Sequence, residues 1–297
     1  ALQRLGATAF ELCVPTPAVS TPVPVRSTGA SLALTGQHAA LAALSRCALV
    51  VDCTVEGIQH AAELPTVLAG GARVLVVSNE HPEILERCLP RAEDEAPVRE
   101  AMRRLKGARR MHVHSAAGTA LEIDLAGARI GGVWGFTTKP GTLTHWPGGL
   151  VLAFPAAGSV RGTLVLDRGD ANLTFKRYLE TPVRLAIDDD HVVAVEGDSL
   201  DAELMRGQFA VWGDRAAYAV SHVGWGLNPR ARWDAMAFYG KADFNGTELR
   251  AFAGNFLYST GANEVAHRHT PAHFDLPLRG CTVEVDGEVV VREGQLA

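Results

Sequence analysis

His273 and Asp275 stand two residues apart in the segment Thr270-Pro-Ala-His-Phe-Asp-Leu-Pro-Leu-Arg279. If that segment is a strand, side chains two apart leave the same face, so an imidazole and a carboxylate project side by side. Such a pair supplies two of the three ligands of a 2-His-1-carboxylate iron site, provided a third His approaches from elsewhere. The alternative is a buried His hydrogen-bonded to a nearby Asp, and the rest of the chain has to choose between them.

The other histidines narrow the search. His38, His60 and His81 fall on or near predicted helices of the N-terminal region and read as surface or boundary residues. His112 and His114 share one face of a predicted strand, where a His-x-His pair either binds metal or sits in solvent. His145 lies in Thr144-His-Trp-Pro-Gly-Gly149, a turn entering a strand, from which it could reach into a pocket or simply pack. His222 lies in Ala217-Tyr-Ala-Val-Ser-His-Val-Gly-Trp-Gly226, where an apolar strand is followed by two glycines that permit close backbone approach. That setting suits a ligand delivered from a rigid element. His267 and His269 fall in a loop over residues 264–270, whose Glu264 and Arg268 indicate exposure or a lid. Tyr258, Ser259 and Thr260 precede it, with hydroxyls that could orient a substrate oxygen or cap a turn. Asp188-Asp-Asp190 reads as a solvated hairpin tip. No G-x-S-x-G elbow supports a nucleophilic serine. The distribution singles out His222, His273 and Asp275.

The elements that must position these residues form two groups. Over the first ninety or so residues, strands predicted at 7–14, 48–53 and 73–77 alternate with helices at 37–45 and 58–68, with a Pro- and Ser-rich stretch at 15–27. Val/Leu runs between helices are what a buried parallel sheet requires. No GxGxxG follows a strand, so no dinucleotide site is expected. The charged, proline-bounded stretch 90–97 marks a boundary between an N-terminal α/β domain (1–92) and a larger β-rich α+β domain (93–297) carrying the metal site. There, after a helix at 98–107, alternating patterns predict strands at 110–114, 120–125, 149–154, 162–167, 183–187 and 191–195, and one helix at 200–206. A terminal hairpin over 281–291 turns at Asp286-Gly287.

Bulk properties agree with an ordinary globular protein. The chain has 297 residues, 47% of them apolar and 21% charged, enough for an extensive core and contrary to global disorder. A net charge of -5 with no basic stripe argues against a nucleic-acid partner. The five cysteines are odd in number and lack CxxC spacing; Cys47, Cys53 and Cys88, in or beside apolar runs, read as core residues. A reducing cytoplasm is the expected location. No apolar run approaches a membrane span, and the start lacks a signal-peptide layout. The sequence begins at Ala without Met, which leaves open whether the natural N-terminus is present.

Several segments occur in an order that carries a resemblance. Pro24-Val-Arg-Ser-Thr-Gly29, Gly118-Thr-Ala-Leu121, Trp146-Pro-Gly-Gly149 with Pro155 and Gly158-Ser-Val-Arg-Gly162 come first. Ser221-His-Val-Gly-Trp-Gly-Leu-Asn-Pro229 and Ala272-His-Phe-Asp-Leu-Pro-Leu-Arg279 follow. Together they resemble the 2,5-dihydroxypyridine 5,6-dioxygenase family of nicotinic acid degradation, itself related to the thermophilic M29 aminopeptidases. The resemblance implies a mononuclear non-haem Fe(II) held by His222, His273 and Asp275. It implies ring opening of 2,5-dihydroxypyridine by O2 to N-formylmaleamate, as in extradiol-type cleavage. It matches His145 to an acid/base histidine outside the ligand set, in keeping with an imidazole that titrates near neutral pH. Ser259 becomes a substrate-contacting hydroxyl, and a role for His112 or His114 stays open. A homo-oligomer with sites near subunit or domain contacts is expected. The main alternative is an M29-like metal-dependent aminopeptidase or amidohydrolase. In those peptidases the Pro-x-Gly turn is followed by a Glu serving the metal centre, whereas here the turn reads Pro147-Gly-Gly-Leu150. A two-metal hydrolase needs several carboxylates to bridge and to activate water, so the substitution favours a single metal. A non-catalytic, metal-stabilised binding protein is the third reading.

Overall fold

The computed structural model describes residues 2–18, 31–55 and 57–297. The segment Pro24-Val-Arg-Ser-Thr-Gly29 lies outside them. Residues 7–18 form no regular element and are largely exposed, contrary to the strand expected at 7–14. Among the described residues no strand pairs with this segment, so its backbone donors and acceptors have no ladder to join.

A three-stranded parallel sheet joins Leu49–Asp52, Arg73–Val76 and Leu143–His145. Its third strand comes from beyond the 90–97 junction. Helices His38–Leu44 and Leu64–Ala69 accompany it, and Leu34, Val50, Ile58, Val67 and Val74 form its core. The single helix expected at 58–68 is instead a 3-10 turn, Ile58–His60, followed by Leu64–Ala69. Asp52 is the cause. Its Oδ1 accepts from Thr54 N at 3.0 Å and from the Thr54 hydroxyl at 2.7 Å, while Oδ2 accepts from Ile58 N at 2.6 Å. These bonds pin the chain into a tight turn, and Pro65, with no N–H to give, starts the helix afresh.

Two antiparallel sheets make up most of the remainder. The larger has eight strands, running across the sheet from His191–Glu196 through Val183–Asp188, Val160–Leu166, Ala120–Asp124 and Arg110–Ser115 to Cys281–Val285, Glu288–Arg292 and Gln295–Leu296. The smaller has five: Arg268–Leu278, Phe256–Asn263, Val220–Gly226, Leu150–Phe154 and Arg129–Val133. Val113, Leu121, Ile123 and Leu164 of the larger share one core with Val223, Trp225, Phe256 and Leu276 of the smaller. Each such side chain contributes about 1.5–3 kcal/mol by leaving water. Period two then sends the alternate residues of the smaller sheet, Leu150, Leu152, Leu257, His273 and Asp275, to its other face. Gly224 permits the central pairing, since a Cβ there would lie 1.9 Å from Val151 O. The terminal hairpin turns at Asp286 and Gly287, with φ of 49° and 84°. Among the described residues no helix is long and apolar enough to cross a membrane.

Candidate metal centre

Three adjacent strands of the five-stranded sheet build the centre. His222 pairs across to Ser259, and Ser259 pairs across to Asp275, so the three form one row; His273 pairs with Gly261 in the next row on the same face. A Cβ at Gly261, where φ is +118°, would come 2.1 Å from Ala272 O, so only glycine lets the His273 strand approach this closely. One nitrogen from each His and one Asp275 oxygen lie within 4.8 Å of one another. His273 Nε2 is 3.2 Å and His222 Nε2 3.8 Å from Asp275 Oδ1, and the two rings stack at 5.3 Å.

Surrounding groups hold these donors in the state a metal requires. The Ser259 hydroxyl donates to Asp275 Oδ1. Arg250 Nε donates to Oδ2 at 2.6 Å, and Arg250 Nη1 donates to Asn245 Oδ1 at 3.1 Å. The Ser221 hydroxyl gives its one proton to Ala262 O at 2.6 Å and lies 3.1 Å from His222 Nδ1. It can therefore only accept from Nδ1–H, which leaves the lone pair of His222 on Nε2, facing Asp275. Burial pushes His222 down to about 3, so its ring is neutral. Burial also opposes ionisation of Asp275, but His273, Arg250 and His222 beside it outweigh that and hold its carboxyl well below the usual range. Two imidazoles and one carboxylate fit a metal of the non-haem iron type. Three donors, rather than a closed set of four, suit a catalytic centre more than a structural one. Among the described residues this is the one grouping of three or more His, Cys, Asp or Glu with that convergence.

The centre opens into a cavity of about 440 Å³ between the smaller sheet and the C-terminal ends of the parallel strands, the usual ligand side of such a sheet. Leu150, Leu152, Leu257 and Phe154 give it an apolar wall. His145 ends the third parallel strand and lines the cavity, where burial and then Arg250 push it down to about 4. His60 lines it as well, its ring 5.6 Å from that of His273. It is exposed, as a surface or boundary residue would be, and it lines the cavity as well. The pattern Asp52-Cys-Thr-Val-Glu-Gly57, with side-chain acceptors at its start and Gly at its end, was the available signal for a turn.

Other expectations also move. His112 and His114 lie on the solvent face of the eight-stranded sheet, His114 3.5 Å from Glu284, and neither lines the cavity. The reason is register: Met111 and Val113 take the core side of that strand. Ser259 is fully buried and spends its proton on Asp275 instead of reaching the cavity. Asp190 is buried, accepting from Gly158 N, Ser159 N and Val160 N and pairing with Arg268 at 2.9 Å, so the acidic triplet is only partly a solvated tip. His267 is exposed, while His269 lies at the cavity. Cys88 is buried as expected, Cys47 is half-buried, Cys53 is exposed, and all five cysteines are free.

The family model NicX, 2,5-dihydroxypyridine 5,6-dioxygenase, matches residues 1–297. A 2,5-dihydroxypyridine 5,6-dioxygenase of Pseudomonas putida is 40% identical over 266 residues, which cover 89% of this chain and 75% of that protein. The solved structure of 2,5-dihydroxypyridine dioxygenase from Pseudomonas putida KT2440 superposes with a TM-score of 0.93 at 37% identity, over 99% of this chain and 85% of that one. Wild-type AmpT from Thermus thermophilus, 16% identical, shares the fold alone, with a TM-score of 0.60 over 88% of this chain and 79% of that one. The chain belongs to the 2,5-dihydroxypyridine 5,6-dioxygenase family.

Proposed function

We propose that this chain opens the ring of 2,5-dihydroxypyridine between C5 and C6 with O2, using one Fe(II) held by His222, His273 and Asp275, to give N-formylmaleamate in nicotinic acid degradation. The observation that carries this reading is the convergence of two imidazoles and one carboxylate at the wall of a half-apolar cavity of about 440 Å³. Atoms balance when both oxygens of O2 end in the product, one on each carbon of the broken bond.

The bound iron would supply electron transfer between the ring and O2. The chain's own residues do the remainder. Asp275 offers a carboxylate fixed by Ser259 and Arg250, so its orientation costs no reorganisation during the reaction. His222 is turned by Ser221 so that Nε2 faces the centre. His145 accepts the proton of a substrate hydroxyl, and His60 shares the cavity with it as a further polar group. Leu150, Leu152 and Leu257 take the face of a flat ring and exclude water. Leu150 also speaks against a two-metal hydrolase, because it puts an apolar side chain into the cavity wall after the Gly148-Gly149 turn.

Anaerobic reconstitution with Fe(II), followed by labelled O2 and 2,5-dihydroxypyridine, is the test. The expected product is N-formylmaleamate carrying two labelled oxygens. Uptake of O2 unchanged in His273→Ala would overturn the assignment.

A further inference from the structure

Two buried polar atoms at the cavity, Ser78 Oγ and Arg250 Nη2, are not used by the ring-opening chemistry. Strand Arg73–Val76 runs into Ser78 and Asn79, consecutive non-glycine residues with φ of 37° and 51°. Such backbone is strained, and strain of this kind gathers where side chains must be aimed. Ser78 is 4% exposed and lines the cavity, yet its hydroxyl has no partner among the described residues. It is pressed against the 57–60 turn: a Cβ at Gly57 would lie 2.3 Å from Ser78 Oγ.

Arg250 lines the same cavity. Its Nε is taken by Asp275 and its Nη1 by Asn245, while Nη2 is buried without a partner among the described residues. A buried donor left unpaired costs about 1–3 kcal/mol, so a ligand group that satisfies it is held correspondingly tightly. Beneath this region Glu80, 7% exposed, accepts from Thr247 N at 2.7 Å. Tyr258 and Thr260 also carry unpartnered hydroxyls, but neither lines the cavity.

Arg250 Nη2 can only donate, whereas Ser78 Oγ can accept as well as donate. Their complement is an acceptor beside a donor on one edge of a ring. We infer that Ser78 and Arg250 form a subsite for a cyclic amide edge, the C=O next to N–H of the 2-pyridone form, which separates hydroxypyridines from carbocyclic phenols. Arg250 would take the carbonyl oxygen and Ser78 the ring N–H. This deepens the proposed function and rests on it for the substrate class. A site built around such a bond discriminates strongly against a ring lacking the group, because its own polar atoms then stay unpaired.

Calorimetric titration of the anaerobic Fe(II)-loaded chain with 2-pyridone and with phenol, neither of which carries both hydroxyls, tests the subsite apart from turnover. The wild-type chain is expected to bind 2-pyridone about tenfold or more tighter than phenol. Ser78→Ala should lower that ratio about tenfold, with phenol affinity held within about twofold. Arg250→Lys, which also touches Asp275, is read by the same ratio, so that any loss common to both probes cancels; it too should fall. A wild-type chain without preference, or a ratio unchanged in both variants, overturns the inference. Preference for 2-pyridone without turnover of 2,5-dihydroxypyridine would sink the proposed reaction and leave the subsite standing. Turnover with an unchanged ratio would do the reverse.

Discussion

The two antiparallel sheets each carry a pair of potential ligands at the same spacing, and only one pair is placed to work. On Arg110–Ser115, His112 and His114 share a face by period two; on Arg268–Leu278, His273 and Asp275 do the same. The His112/His114 pair faces solvent across the outer side of the eight-stranded sheet. The His273/Asp275 pair faces a cavity roofed by the parallel layer, with His222, Ser259 and Arg250 around it. Spacing makes a pair; a covering layer and a third strand in register make a site. Around His273 and Asp275 every bond holds a charge or a lone pair in a set direction, whereas His114 has only a half-exposed Glu284 across the strand. Exposed pairs of that kind contribute little.

Substitutions can break or sharpen this contrast. Asp275→Ala removes a ligand and strands the buried Arg250 guanidinium, so turnover should fall by about a thousandfold or more. Stability should fall with it by about 3–5 kcal/mol, read from chemical denaturation. His145→Ala should keep its metal and lose about a hundredfold or more in kcat, measured beside the metal content of the same preparation; full activity would end its role as base. Ser259→Ala leaves the ligands in place but frees Asp275 Oδ1, and metal affinity should weaken about 10- to 100-fold in a competition titration. At the small end, His112→Ala with His114→Ala should change metal content not at all and stability by less than about 0.5 kcal/mol. Loss of metal from that double variant would erase the distinction drawn between the sheets.

Much of this was legible in the chain because it depends on local pattern. Val/Leu runs mark the strands Leu49–Asp52 and Arg73–Val76, Asp286-Gly287 marks the last hairpin, and period two puts His273 beside Asp275. His222 was recoverable from its apolar strand and the glycines after it. What stayed hidden depends on partners distant in sequence. His60 faces the cavity only because Asp52 replaces the expected helix by a turn. Leu143–His145 is three residues long, and nothing local announces that it will pair in parallel with Arg73–Val76. Ser259 could be read as a hydroxyl near the site, but its commitment to Asp275 follows from the pairing of two strands. Asp190 reads as one of three solvated acids until the backbone of residues 158–160 comes round to meet it. At 7–14 a strand was expected, and among the described residues none pairs with it.

Metal content per chain after anaerobic Fe(II) reconstitution and desalting, for the wild type and His273→Ala side by side, tests the central claim most directly. One iron per wild-type chain and almost none in His273→Ala is the predicted result. Two tightly held ions per chain, or iron retained in His273→Ala, would contradict a single centre built from His222, His273 and Asp275.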